Sequence, residues 1–552
     1  MCRASIRLCL VAVLLLAQGL PLGAQTLDEA TRLGALGRVW GLLKYFNPRV
    51  AEGQVDWDAT LVRFIPRVKR AQTRQALNHE LLMLVRTVDV RVSVPSDVPL
   101  RQPETVKALE WLDDTRVFDP VTAYVLKTYR HGRTPSSNRF VRPTSPTLRN
   151  PDFSGEAPYT GQQYPTEEYR LLALFRYWNM VQYYFPYREV MDRPWDAVLE
   201  AFVPKFAAAG DAVAYHLAVA ELVASINDAH GVLSSSVLTS FFGPNIAPVR
   251  VRYVESQTVV TKVLTRFTLG ADVRVGDVIT DVNGVPAAAR RAELTKYAAG
   301  SNPASLQRNV NTLLLRTPSQ TIRLGLSRHG VRHEVVLTCP TGSQAFDEDQ
   351  ATEDRTVSRI LPGNIGYVNM GWLQPADVTR VMNELRDTRA IVFDQRNYPN
   401  GTLGLVAERL LPASKEFVVF TEPNYAAPGT FTWRAPQRVG PTSPTANYYR
   451  GQVILLADER TQSQAEFTLM ALRTAPDATL VGSQTAGADG NISLIQLPGG
   501  LSTYFSGIGV YYPDRRPTQR IGIVPDHHVT PTIAGIRAGV DEVLEYALRL
   551  VR

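Results

Sequence analysis

Residues 452–466 read QVILLADERTQSQAE. The apolar run Gln452–Ala457 predicts a buried strand, and the polar stretch Asp458–Gln462 a loop. Apolar residues at helical spacing then predict a helix over Ala465–Thr474. Working outward, Gly366–Met370, Ala390–Gln395, Glu416–Thr421 and Thr479–Gly482 are further predicted strands. Ala376–Arg386 and Leu403–Leu411 are predicted helices between them. Strands alternating with helices imply a mostly parallel sheet covered by helices. Sites in such sheets form outside the carboxyl ends of the strands. Two segments fall there: Asp394–Gly401 (DQRNYPNG) and Asp458–Glu466. Ser463 stands at or just before a helix N-terminus, where free N–H groups and the positive end of the helix dipole favour a developing anion. That suits a nucleophile with an oxyanion hole. An ordinary serine N-cap is the commoner reading of that position alone.

Further toward the amino terminus, residues 32–66 recur at 170–204 with a constant offset. Arg32, Ala35, Leu36, Arg38 and Trp40 return as Arg170, Ala173, Leu174, Arg176 and Trp178. Trp57, Asp58, Ala59, Leu61, Phe64 and Pro66 return as Trp195, Asp196, Ala197, Leu199, Phe202 and Pro204. Each copy has two predicted helices and continues into a third, Asn78–Thr87 or Ala214–Ile226, so the repeat encodes paired helical bundles. The second copy ends Asn227-Asp228-Ala229-His230, the first Val88-Asp89-Val90-Arg91. A histidine present in one copy alone is a functional candidate; a capping or core histidine is the other reading.

Residues 131–165 are rich in Pro, Ser, Thr and Gly and read as a linker, as does the acidic stretch within 341–362. Between them lie short β-rich runs: Val249–Tyr253, Thr258–Val263, Val278–Val282, Thr321–Ser327 and Arg332–Leu337. The segment GADVRVGDVITDVNGVP, residues 270–286, resembles a PDZ domain. That resemblance implies peptide capture by strand addition, as of a substrate C-terminus, within residues 243–340.

The chain has 552 residues, 45% hydrophobic and 20% charged, enough to bury several cores and too apolar for a disordered protein. A formal charge of +7 is spread without a dense basic run, which argues against nucleic-acid binding. Arg3 and Arg7, the apolar run Leu8–Ala17 and the small residues before Ala24 form a secretory signal, residues 1–24, too short to span a membrane. Its cleavage removes Cys2 and Cys9 and leaves Cys339 alone, so no intrachain disulfide is expected. Export to a bacterial periplasm fits best. No metal-ligand spacing or phosphate-binding glycine loop is found, and no cofactor is expected.

The stretch 363–552 resembles the carboxyl-terminal processing serine peptidases, or tail-specific proteases, and the related tricorn core protease. Asp394–Gly401 resembles their D-L-R-x-N-x-G-G loop, and Ser463-Gln464-Ala465-Glu466 their S-A-S-E motif. Val481–Gly487 and Gly522–Asp526 resemble their V-G-E-x-T-x-G and G-I-x-P-D motifs. The resemblance implies a crotonase-like α/β core (363–552) after helical repeats (25–130 and 166–242) and a PDZ-like domain (243–340). It also implies a peptidase with Ser463 as nucleophile and polypeptide substrates. The lysine of the Ser–Lys branch would fall at Ala488, and no lysine follows Lys415, so that mechanism is excluded. The tricorn-like branch places a histidine where His230 stands. Its adjoining serine and its glutamate are replaced by Ala229 and Gln519, which leaves Asp228 and Glu466 as candidate orienting acids. Backbone N–H groups of Gly401 and Gln464, with Asn400, are the implied oxyanion hole. The same fold also resembles retinoid-binding repeats, which implies the competing reading of a catalytically silent binding protein; an esterase is a third. The oligomeric state is not encoded legibly.

Overall fold

The computed structural model describes residues 26–88, 107–131 and 137–552. The proposed signal segment lies outside them, as do Asp89 to Arg91 of the first copy's end. Among the described residues no helix is long and apolar enough to cross a membrane.

The repeat folds as a pair of bundles. Copy one comprises helices Glu29–Phe46, Trp57–Arg70 and Arg74–Arg86; copy two comprises Glu167–Tyr184, Trp195–Ala207 and Ala212–Ala224. The matched tryptophans explain why both copies adopt one shape. Trp40 and Trp57 each donate an indole N–H to the other's carbonyl, at 3.0 and 2.9 Å. Trp178 and Trp195 do the same at 2.9 and 3.0 Å. Each buried indole thereby satisfies its only donor while locking two helices together.

The copies then embrace reciprocally. Arg38 of copy one reaches the Asp196 carbonyl and Glu200, at 3.0 and 2.9 Å. Arg176 of copy two reaches Asp58 at 2.6 Å. The first helices cross where Gly37 and Gly41 face Phe175 and Asn179. A Cβ at Gly41 would lie 1.8 Å from the Asn179 amide, so glycine is required by close approach.

The described residues 137–165 of the stretch expected as a linker, 131–165, are packed against this core. They bury Phe140, Val141 and Phe153, and their buried Glu156 receives Lys44 Nζ at 2.8 Å. Residues 341–362 likewise differ from a bare connection. They hold a helix, Gly342–Ala351, capped by Thr341, and an edge strand, Ser358–Leu361. Of the acidic residues that suggested a linker, Asp349 is an ion-pair partner of Arg250 and Lys262.

In the middle of the chain, strands run in the order 331–338, 321–328, 278–282, 257–263, 249–254, all antiparallel. Helices Ala287–Thr295 and Pro303–Leu314 accompany them.

The C-terminal core is built on a six-stranded sheet in the order 358–361, 365–369, 390–394, 452–457, 479–482, 527–528. All neighbours are parallel except the first pair. The expected strand near 416–421 is real, as Lys415–Pro423, but belongs elsewhere. It forms a second, antiparallel sheet with 431–433, 437–439 and 509–511. A hairpin, Ile492–Leu497 and Leu501–Ser506, leaves this core and buries Ile495, Leu497, Leu501 and Phe505 in the helical cluster. The molecule is thus mixed α/β and multidomain, with a helical N-terminal region.

Candidate active site

Strand Gln452–Ala457 delivers the chain to a turn at Asp458–Gln462, after which helix Gln464–Leu472 begins. Ser463 occupies the junction with φ 57° and ψ −122°. A β-carbon is disfavoured there, and such strain persists only where surroundings impose it. The surroundings are visible. Ser463 N–H donates to the Ala488 carbonyl at 2.9 Å and to Glu466 at 3.1 Å. Glu466 is fully buried, and it also accepts from Gly487 N–H, Ala488 N–H and the Thr485 hydroxyl. Burial pushes its pKa above the usual carboxylate value, with these donors opposing. This carboxylate therefore ties the serine turn to the 485–488 loop. It is committed to those four donors and does not orient His230, contrary to one expectation from sequence.

His230 lies 233 residues earlier in the chain, in the turn after helix Ala212–Ala224. Its ring is nearly buried, with 9% of the side chain exposed. Nδ1 lies 2.9 Å from Ser506 Oγ and 3.5 Å from the Asp228 carboxylate. Asp228 is fully buried and also accepts the His230 and Ser506 backbone N–H groups. Burial alone would raise its pKa, but the bonds from His230 and these backbone donors hold it below the ordinary value. Nδ1 is thus occupied, and Nε2 has no partner among the described residues.

Ser463 and His230 line one cleft of about 1200 Å³. Gln464 and Tyr398 line it too, with Asp489 and Ile508. The Asp394–Gly401 loop arrives beside it: a Cβ at Gly401 would lie 3.8 Å from the Gln464 side chain. The N–H groups of Gly401 and Gln464 have no acceptor among the described residues. The Asn400 side chain turns away, donating to the Gly371 carbonyl at 2.7 Å. Gln519 is buried, and neither end of its amide finds a partner among the described residues. Tyr504, Phe505, Tyr511 and Tyr512 lie outside this cleft. Phe505 stacks edge-on against Phe153 and Phe185 in the helical core.

Sequence reasoning missed Ser506, which closes the Nδ1 side of His230 from 276 residues away. A serine ending an alternating strand carries no signal by itself; only the fold of the hairpin places it.

Residues 364–529 match the profile of Peptidase family S41. The chain therefore carries a serine-peptidase domain, and its class is that of the hydrolases acting on polypeptides. Among solved structures it is similar to mature CPAF complexed with lactacystin, at 15% identity and a TM-score of 0.55, over 70% of this chain and 97% of that one. It is also similar to the photosystem II D1 C-terminal processing protease, at 16% identity and a TM-score of 0.40, over 69% of this chain and 97% of that one. The tricorn protease aligns at 14% identity with a TM-score of 0.34, over 69% of this chain and 36% of that one. At these identities the CPAF likeness is one of fold. No curated protein sequence gives a significant match.

Proposed function

We propose that the protein is an exported serine endopeptidase in which Ser463 is the nucleophile and His230 the general base. The observation that carries this is the convergence on one cleft of a strained serine at a helix start and a histidine with only Nδ1 engaged. Ser506 and Asp228 hold Nδ1 protonated, which leaves the Nε2 lone pair for the serine proton. Ser463 Oγ attacks the peptide carbonyl while His230 takes its proton. The tetrahedral oxyanion sits against the free N–H groups of Gly401 and Gln464, at the positive end of the helix. Collapse expels the amine, which receives the proton from His230. Water then repeats the sequence on the acyl-enzyme. The β-rich segment 243–340 captures the substrate chain at a sheet edge, and the signal segment directs export to the periplasm.

The test is labelling by a fluorophosphonate, with peptide turnover measured in parallel. Wild type labels; Ser463→Ala and His230→Ala do not, and turnover falls by roughly 10⁴- to 10⁶-fold. Labelling that survives His230→Ala moves the base elsewhere. A folded wild type that neither labels nor cleaves favours the silent binding protein.

A further inference from the structure

Of the two acidic groups that line the cleft and take no part in the reaction above, Glu422 is paired with arginines and Asp489 is not. Asp489 is 4% exposed and lines the cleft with Ser463 and His230. Its Oδ1 accepts only the adjacent Gly490 N–H, at 2.7 Å, and its Oδ2 has no partner among the described residues. The cleft's basic groups are already committed. Arg149 and Arg434 both pair with Glu422, and Arg308 donates to the Glu459 carbonyl and to Gln462. A buried carboxyl without a cation is costly. Burial, with the nearby Glu466 carboxylate adding to it, pushes the Asp489 pKa well above the ordinary carboxylate value. Part of the cleft wall is apolar, with Phe420, Phe467, Ile492 and Ile508. Such a wall accepts the methylene stem of a long side chain, whose charged tip then needs an acceptor at its end.

We propose that Asp489 is a specificity-determining residue that selects peptides with lysine or arginine beside the scissile bond. The proposal rests on the serine-peptidase reading. Only the Gly490 bond holds the carboxyl, so turning Oδ2 into the cleft sacrifices at most that contact. The entering ammonium or guanidinium then supplies the missing partner, and a charge-assisted bond forms where none existed. A neutral side chain of equal length leaves the carboxyl as it was.

Two sets of fluorogenic peptides test this, one varied on each side of the scissile bond, with Lys, Arg, citrulline or norleucine at that place. Fluorophosphonate labelling of the same preparations is measured alongside. In one set wild type favours Lys and Arg over citrulline and norleucine by about 10- to 100-fold in kcat/KM, the scale of one hydrogen bond to a charged group. Asp489→Asn abolishes that preference, leaves norleucine turnover within about threefold and labels normally. Equal cleavage of Lys and norleucine peptides by a labelled wild type overturns the proposal, and this comparison holds even if the variant does not fold. Equal slowing of all peptides by a folded Asp489→Asn also overturns it, since Asp489 then supports the catalytic groups. An unlabelled wild type overturns the serine-peptidase reading and this proposal together.

Discussion

At the scale of single residues, the proposed base depends on a contact that no motif announces. Ser506 meets His230 Nδ1 through its hydroxyl and Asp228 through its backbone N–H. Removing the hydroxyl separates these two functions. Ser506→Ala keeps the backbone bond to Asp228 and loses only the Nδ1 contact, so the fold survives while the ring loses one of its orienting partners. Turnover should fall about 10- to 100-fold in kcat with KM within about twofold, the range for loss of a supporting contact behind a working imidazole. Ser506→Thr, which keeps the hydroxyl, should restore most of the loss, and steady-state kinetics of the two variants checks it. An unchanged kcat in Ser506→Ala would show that Asp228 alone fixes the ring. The sequence supports Asp228 and His230 as a pair because they share one short turn. It is silent on Ser506, because proximity across a hairpin is a property of the fold.

Among elements, the turn into helix Gln464–Leu472 shows how a motif reads correctly in place and wrongly in role. Glu466 stands three residues into the helix start, where it was open to reading as an orienting acid. Its two oxygens instead gather Ser463, Gly487 and Ala488 N–H and the Thr485 hydroxyl. Sequence spacing revealed a carboxylate near the serine, but not which donors surround it, since three come from a loop some twenty residues later. The middle β-rich segment meets this same turn: Arg308 donates to the Glu459 carbonyl at 2.8 Å, and Arg252 pairs with Glu459 at 2.7 Å. Glu466→Gln places an amide NH₂ among groups that all donate. It should cost about 2–4 kcal/mol at neutral pH, since each buried donor left unpaired costs about 1–3 kcal/mol. The pH dependence has a definite sign. The folded pKa of Glu466 is raised above 4.5. Between the unfolded and folded pKa the native state binds more protons, so the Glu466 contribution falls as pH rises through that window. The wild-type advantage over Gln should therefore be larger near pH 4 than at pH 7, read as the difference in Tm between the two proteins across pH. An advantage that grows with pH would mean that the donors outweigh burial.

For the whole molecule, the duplicated bundles have a use that their sequence match does not disclose. The repeat itself was legible, because paired tryptophans and arginines recur at one spacing, and the tryptophans make the same bonds in both copies. What was not legible is that copy one lends its charges to copy two. Lys44, Asp58, Glu156 and Arg176 form a buried ion cluster assembled from both copies and from the segment between them. Arg176 also reaches the Gln496 carbonyl at 3.4 Å, and Tyr215 holds the Pro498 carbonyl at 2.7 Å. Both carbonyls lie on the hairpin that ends in Ser506, so the helical cluster is the seat on which the histidine's partner rests. Arg176→Ala would remove one of two cations facing two buried carboxylates. Breaking a buried ion pair in this way costs roughly 3–5 kcal/mol, because the stranded charge stays buried. Urea unfolding should show a loss of that size. If the hairpin seat matters to chemistry, the folded fraction of Arg176→Ala should also lose kcat on the scale of Ser506→Ala, since both changes act on one contact, and the double variant should be less than additive. Full additivity in kcat would uncouple the bundles from the cleft and leave them a purely structural platform.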